Sequence, residues 1–161
     1  MADVTLSLGS NIDRHHHIRA GLAALRGHFG HVELSPVYES EAVGFDGEPF
    51  LNLVARIETE LPVGELSERL RAIEAEHGRV RGEAKYASRT LDIDILTYDD
   101  RVGMIDGVEL PRGEILKHAF VLKPLADLLP EGVHPTEGRS YRELLAERDF
   151  PGQGLWRIEL E

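Results

Sequence analysis

The segment Arg89-Thr90-Leu91-Asp92-Ile93-Asp94-Ile95 holds the residues best suited to chemistry in this chain. On a strand, alternate side chains share a face, so Asp92 and Asp94 point one way while Leu91, Ile93 and Ile95 point to a core. Two carboxylates at this spacing repel each other unless positive charge lies between them. Mg²⁺ answers that need, because it binds through one or two carboxylates, waters and substrate phosphates. A solvated strand face carrying two acids would show the same pattern, and D-x-D alone does not separate the two. The upstream residues shift the balance: Arg79, Arg81, Lys85 and Arg89 all fall in the stretch 79–89. Phosphoryl-type transfer asks a protein for charge neutralisation and alignment rather than covalent help. Arginine suits the task because its donors form a planar fork that matches phosphate oxygens. A basic loop balanced by Glu74, Glu76 and Glu83 is the plainer alternative. In a chain of net charge -11, basic residues abutting paired acids favour a metal–nucleotide site.

A second candidate is Phe50-Leu51-Asn52. With Leu51 and Leu53 facing a core, Phe50 and Asn52 share the opposite face. A ring beside a carboxamide can stack a flat heterocycle and pair with its amide edge; a strand-end aromatic with a turn Asn reads the same locally. Ser7, Gly9, Ser10 and Asn11 make a strand-to-helix turn without a full Gly-rich phosphate loop, so an ordinary capped turn is expected there. His15-His16-His17 point in different directions on a helix, and His77, His118 and His134 follow no metal spacing.

These residues need elements to position them. Val4, Leu6 and Leu8 alternate with Thr5 and Ser7, predicting a first strand. Asn11 or Asp13 is placed to cap a helix in which Ile18, Leu22, Leu25 and Phe29 recur, stopped by Gly27 and Gly30. A second strand is predicted over 31–38, a loop over 39–49 and a third strand over about 50–59. Pro62 opens a helix lined by Leu66, Leu70 and Ile73 and ended by Gly78. The fourth strand carries Asp92 and Asp94. Beyond it come a loop to Arg112, an apolar stretch at 119–129 broken by Pro124, and a short helix around 139–147. The order β-α-β-β-α-β is ferredoxin-like, an α+β arrangement with helices on an antiparallel sheet. No repeat or linker interrupts residues 1–161, so one domain is expected.

Composition narrows the function. Acidic residues number 29 against 18 basic ones, a field that repels nucleic acid and anionic membranes. No apolar run nears the roughly 20 residues of a membrane helix, and the N-terminus lacks a signal-peptide pattern. The chain has no Cys, which excludes disulfides and thiolate metal sites. A cytoplasmic monomer acting on small molecules is the expectation, with no nucleic acid or membrane partner.

Taken in order over roughly residues 3–135, LSLGSN, VYESEAVGFDGEPFLN, IEAEHGRVR, RTLDIDIL and AFVLKPLADLLP resemble the 6-hydroxymethyl-7,8-dihydropterin pyrophosphokinase family. The resemblance implies an α-β-α sandwich on the ferredoxin-like core. It implies ATP as co-substrate and two Mg²⁺ ions held by Asp92 and Asp94. It further implies attack of the pterin hydroxymethyl oxygen on the β-phosphorus of ATP with release of AMP, a step in folate biosynthesis. Arg79, Arg81 and Arg89 match the basic loop that closes over the phosphates, and Glu74 matches a position near the nucleotide. Phe50 and Phe120 match the rings around the pterin, and Asn52 matches the residue that pairs with its polar edge. Ser40 and Val43 match loop positions contacting the pterin, and Tyr86 stands where many members carry Trp.

The chain also departs from the family pattern. Ser40-Glu41 replaces Thr-Pro, and Ala87-Ser88 precede Arg89 in place of Gly-Pro. Pro111-Arg112 replaces Pro-His, and His118 stands where an Arg precedes the stacking Phe. Arg112 and His118 are therefore the expected nucleotide-side contacts that differ. Other readings stay open: a paralogue acting on a different pterin alcohol, a pterin- or nucleotide-binding protein without turnover, and a cyclase- or polymerase-like palm. The product separates them.

Overall fold

The computed structural model describes residues 1–42, 47–78 and 90–161. Val43, Arg79, Arg81, Tyr86 and Arg89 lie outside the described residues. The elements are β1 (Ala2–Ser10), α1 (Arg14–Phe29), β2 (Glu33–Leu34), β3 (Val37–Ser40), β4 (Phe50–Thr59) and α2 (Val63–Glu76). Then follow β5 (Asp92–Tyr98), β6 (Gly103–Ile105), β7 (Val108–Leu110), a 3-10 turn at Gly113–Leu116, α3 (Ala119–Leu128), α4 (Tyr141–Glu147) and β8 (Leu155–Ile158).

The main sheet runs β5-β1-β4-β3-β8, with β2 also paired to β4, and its neighbours are antiparallel. One sheet face carries Leu6, Leu8, Leu53, Ile57 and Ile93 and packs on Ile18, Leu22 and Leu25 of α1 and Leu66, Leu70 and Ile73 of α2. The other carries Val54 and Leu96 against Val121, Leu122 and Leu125 of α3 and Tyr141 and Leu144 of α4. Burying one such aliphatic side chain stabilises by roughly 1.5–3 kcal/mol, which is why the alternating strands settle between two helical layers. The result is the expected ferredoxin-like order inside an α-β-α sandwich.

Several local expectations are corrected. The second strand is split, because Pro36 has no N–H to give a ladder; Ser35 bridges the gap, its N–H donating to the Val54 carbonyl (2.9 Å) and its Oγ accepting from the Val54 N–H (2.8 Å). Asp13 stands at the start of α1 but makes no side-chain cap bond. Asn11 instead donates to the Glu48 carbonyl (3.0 Å), holding the approach to β4. Gly27 lies within α1, and Gly30 ends it with φ 78°. Pro124 does not break the apolar stretch but sits inside α3. Its missing N–H and ring clash cost about 3 kcal/mol, offset by burial of Leu122 and Leu125. The stretch before Arg112 contains the β6–β7 hairpin, and β8, absent from the sequence reading, adds an edge strand beside β3.

Candidate active site

The register of the sheet assembles the site. Ser7 lies opposite both Val54 and Asp94, so Asp94 shares the face of Val54, which is the α3 side. One step along, Tyr38, Asn52, Gly9 and Asp92 stand opposite one another across β3, β4, β1 and β5. Neighbouring strands are about 4.8 Å apart, so Asn52 and Asp92 face each other across roughly 10 Å with Gly9 between them. Gly9 has no side chain to fill that gap. A Cβ there would stand 3.3 Å from Asn52 Oδ1 and 3.7 Å from Phe50 Cδ1. A glycine inside a strand marks a place where something else approaches the backbone, and here its floor joins a carboxylate end to a carboxamide end.

At the carboxylate end, Asp94 Oδ1 lies 3.7 Å from Arg71 Nη2, and its Oδ2 lies 3.7 Å from Arg112 Nη2. Burial pushes the Asp94 carboxyl up from 3.8 to about 6, and the negative charge of Asp92 adds to the lift. Arg112 and Arg71 pull it down, and the net shift stays upward. Two guanidinium groups thus stand beside Asp94, and its carboxyl still titrates above the ordinary carboxylate range. Arg112 also contacts Glu114 (3.0 Å), and its buried Nε finds no hydrogen-bond partner among the described residues. Glu74 is buried; its Oε2 accepts from the Ile93 N–H (2.7 Å) and its Oε1 pairs with Arg71 (2.7 Å). That arrangement ties α2 to β5 between the two aspartates. A cavity of about 510 Å³ opens beside Asp94, lined among others by Ser67, Arg71, Arg112, Glu114 and Lys117.

The donor set is oxygen only, on adjacent same-face positions of one strand. These features fit a hard divalent cation. Among the described residues no group of three or more His, Cys, Asp or Glu converges. A cation held by Asp92 and Asp94 would complete its shell from water and phosphate oxygens, as Mg²⁺ characteristically does.

At the other end, Asn52 is buried and its Nδ2 donates to Ser40 Oγ (2.7 Å). Ser40 lies opposite Phe50 in the register, so Ser40, Phe50 and Asn52 occupy the same face. Tyr38 donates to Asp127 of α3, which also accepts from Lys123 (2.9 Å). At the start of α3, the His118 ring stacks on Phe120 with centroids 4.7 Å apart and planes 15° apart. Burial lowers the His118 pKa and favours the neutral imidazole. The His15-His16-His17 triplet sits at the start of α1, where His15 accepts from the Glu161 N–H and His17 contacts the Ile12 carbonyl.

The structure thus gathers Ser40, Phe50, Asn52, Asp92 and Asp94 on one sheet face, with Arg112 reaching Asp94 and with His118 and Phe120 on the helical layer covering that face. The sequence reading passed over Gly9 as a floor and Arg71 as a flanking cation. An isolated glycine late in a strand and an Arg three residues before Glu74 on a helix were the available signals.

The family model for 7,8-dihydro-6-hydroxymethylpterin-pyrophosphokinase (HPPK) matches residues 5–130. The chain belongs to this family. An HPPK from Pseudomonas aeruginosa is 39% identical over 153 residues, covering 92% of this chain and 93% of the relative. One from Aquifex aeolicus is 35% identical over 149 residues, covering 91% and 92%. Among solved structures, a Plasmodium falciparum HPPK-DHPS chain with SDX-DHP superposes with a TM-score of 0.71 at 15% identity, which is a likeness of fold. It covers 91% of this chain and 43% of that one, so this HPPK chain spans less than half of that longer protein.

Proposed function

We propose that this HPPK uses Asp92 and Asp94 to hold two Mg²⁺ ions and the Gly9 floor to bring the pterin alcohol to ATP. The enzyme transfers pyrophosphate from ATP to the hydroxymethyl group of 6-hydroxymethyl-7,8-dihydropterin and releases AMP. The observation that carries the residue assignment is the row Asn52–Gly9–Asp92. A heterocycle paired to Asn52 and lying over Gly9 directs its substituent toward the aspartates. Phe50 and Phe120 offer ring faces to the pterin, and Ser40 and Val43 offer contacts at its edge. Stacking of this kind adds about 0.5–1.5 kcal/mol beyond area burial.

Mg²⁺ held by Asp92 and Asp94 would supply charge neutralisation to the phosphates. The chain's own groups supply the rest. Arg71 and Arg112 stand beside Asp94 and present cations to the triphosphate, and the family resemblance adds Arg79, Arg81 and Arg89 to them. Tyr86 is assigned to the pterin by the family resemblance alone. Glu74 acts by holding Arg71 and the Ile93 amide, and His118 backs the Phe120 ring. The pterin hydroxyl oxygen forms a bond to Pβ and loses its proton to solvent, the bond from Pβ to the α–β bridging oxygen breaks, and AMP leaves with that oxygen. Preorganised charge around a transfer that needs no covalent intermediate accounts for catalysis.

Residues 1–161 form one functional unit in this proposal, since both helical layers share the sheet that carries the site. We place it in the cytoplasm as a monomer with ATP and a dihydropterin as its small-molecule partners. Among the described residues no helix is long and apolar enough to cross a membrane.

The test is a product assay with ATP, Mg²⁺ and 6-hydroxymethyl-7,8-dihydropterin. AMP and pyrophosphorylated pterin are expected in equal amounts. ADP, or inorganic pyrophosphate with a cyclic or polymeric nucleotide, would overturn the proposal.

A further inference from the structure

Residues 149–158 lie beyond the stretch matched by the family model. They nevertheless touch both walls of the pterin pocket. Gln153 Oε1 accepts from the Ala119 N–H (2.8 Å), and Gln153 Nε2 donates to the Lys117 carbonyl (3.0 Å). Ala119 is the first residue of α3, so its N–H is one of the helix-start donors without an intrahelical acceptor. His118 stands at the cap position and supplies no side-chain cap bond. A residue remote in sequence therefore caps the helix that carries Phe120. Two residues after Gln153 the chain enters β8, where Leu155 lies opposite Ser40 and Arg157 opposite Tyr38. The connection from the start of α3 to the Ser40 end of β3 is thus two residue steps, about 7 Å of chain.

We infer that Gln153 is a positioning residue that sets where Phe120 stands relative to Ser40 and Asn52. The inference rests on the pocket assigned above. Gln153 is itself held: its N–H donates to the Phe150 carbonyl (3.2 Å), and Phe150 packs on the α3–α4 core. The far end of α3 is tied to β3 independently, through Tyr38 and Asp127. Removing the Gln153 amide leaves that far tie in place and takes away the side-chain ties on the end bearing Lys117, His118 and Phe120, which keeps the Lys117 and His118 N–H bonds to the Glu114 carbonyl. His118 transmits the change, because its ring is stacked on Phe120.

The experiment measures pterin and ATP affinity by calorimetry in the full chain for Gln153→Ala, Gln153→Glu, Phe120→Ala and the Gln153→Ala/Phe120→Ala double variant. Gln153→Ala should weaken pterin binding about tenfold, the scale of one net hydrogen bond, with ATP affinity changed less than about twofold. Gln153→Glu keeps the acceptor for Ala119 and should fall between wild type and Gln153→Ala. In the Phe120→Ala background Gln153→Ala should have no further effect, because it acts through that ring. Equal losses in both backgrounds, or equal losses for both ligands, would mean a general structural role and overturn the inference. If Phe120→Ala weakens pterin binding while neither Gln153 variant does, this inference alone falls. If Phe120→Ala leaves pterin affinity unchanged, the pocket assignment falls and this inference with it.

Discussion

Asp94→Asn separates the electrostatic burden of the site from its use. The Asp94 carboxyl is lifted from 3.8 to about 6, first by burial and then by Asp92. A lift of that size corresponds to roughly 3 kcal/mol by which the ionised carboxylate disfavours the folded state at neutral pH. The sign follows from linkage. A folded-state pKa above the unfolded one makes a contribution that is fully present below about pH 4 and lost as pH rises through about 6. Asparagine keeps the shape and removes the charge. Arg71 and Arg112 lose a 3.7 Å neighbour but retain Glu74 and Glu114, so little is forfeited on their side. Metal-free Asp94→Asn should therefore exceed wild type in stability by about 1.5–3 kcal/mol at pH 8, a gain of several degrees in Tm at this chain length. The advantage should shrink toward zero near pH 4. Thermal denaturation in EDTA across pH 4–8 reads the difference directly. Adding Mg²⁺ with ATP should stabilise wild type and leave the variant nearly unmoved. A variant less stable than wild type at pH 8 would refute the claim that burial of the Asp94 carboxylate, with Asp92 beside it, costs the fold stability.

Other predictions test the remaining parts of the site. Asp92→Ala should reduce turnover below detection in the AMP assay while preserving the circular dichroism spectrum, since its side chain lies on the site face rather than in the core. Gly9→Ala places a methyl group 3.3 Å from Asn52 Oδ1; pterin affinity should fall at least about tenfold with ATP affinity little changed in calorimetry, the scale of about 1.4 kcal/mol. Glu74→Ala leaves the Ile93 N–H without this acceptor and Arg71 without this partner. Chemical denaturation should show a loss of about 2–3 kcal/mol, and the ATP KM should rise as Arg71 is released.

Short-range features of the sequence were enough to place β1, β4, β5, α1 and α2. The alternation at Val4–Leu8, Leu51–Ile57 and Leu91–Ile95 is a local period, and burial of one face turns that period into a strand. The same alternation put Asp92 with Asp94, and Phe50 with Asn52, because side-chain direction on a strand depends on parity alone. Ordered motifs over most of the chain carried the family. Tertiary structure decided what depends on register and on distant packing. Asn52 meets Asp92 across Gly9 because β1 lies between β4 and β5, a pairing that no local pattern encodes. Pro36 splits a strand because it interrupts a ladder shared with Val54, whereas Pro124 stays inside a helix because the α3–α4 core favours keeping it there. Arg71 reaches Asp94 only once α2 lies against β5. The strand Leu155–Ile158 is short, follows a Pro-Gly turn, and gains its order from pairing with β3, over a hundred residues earlier in the chain. Gln153 caps α3 for the same reason: the N–H it satisfies belongs to Ala119, brought beside it by folding rather than by sequence.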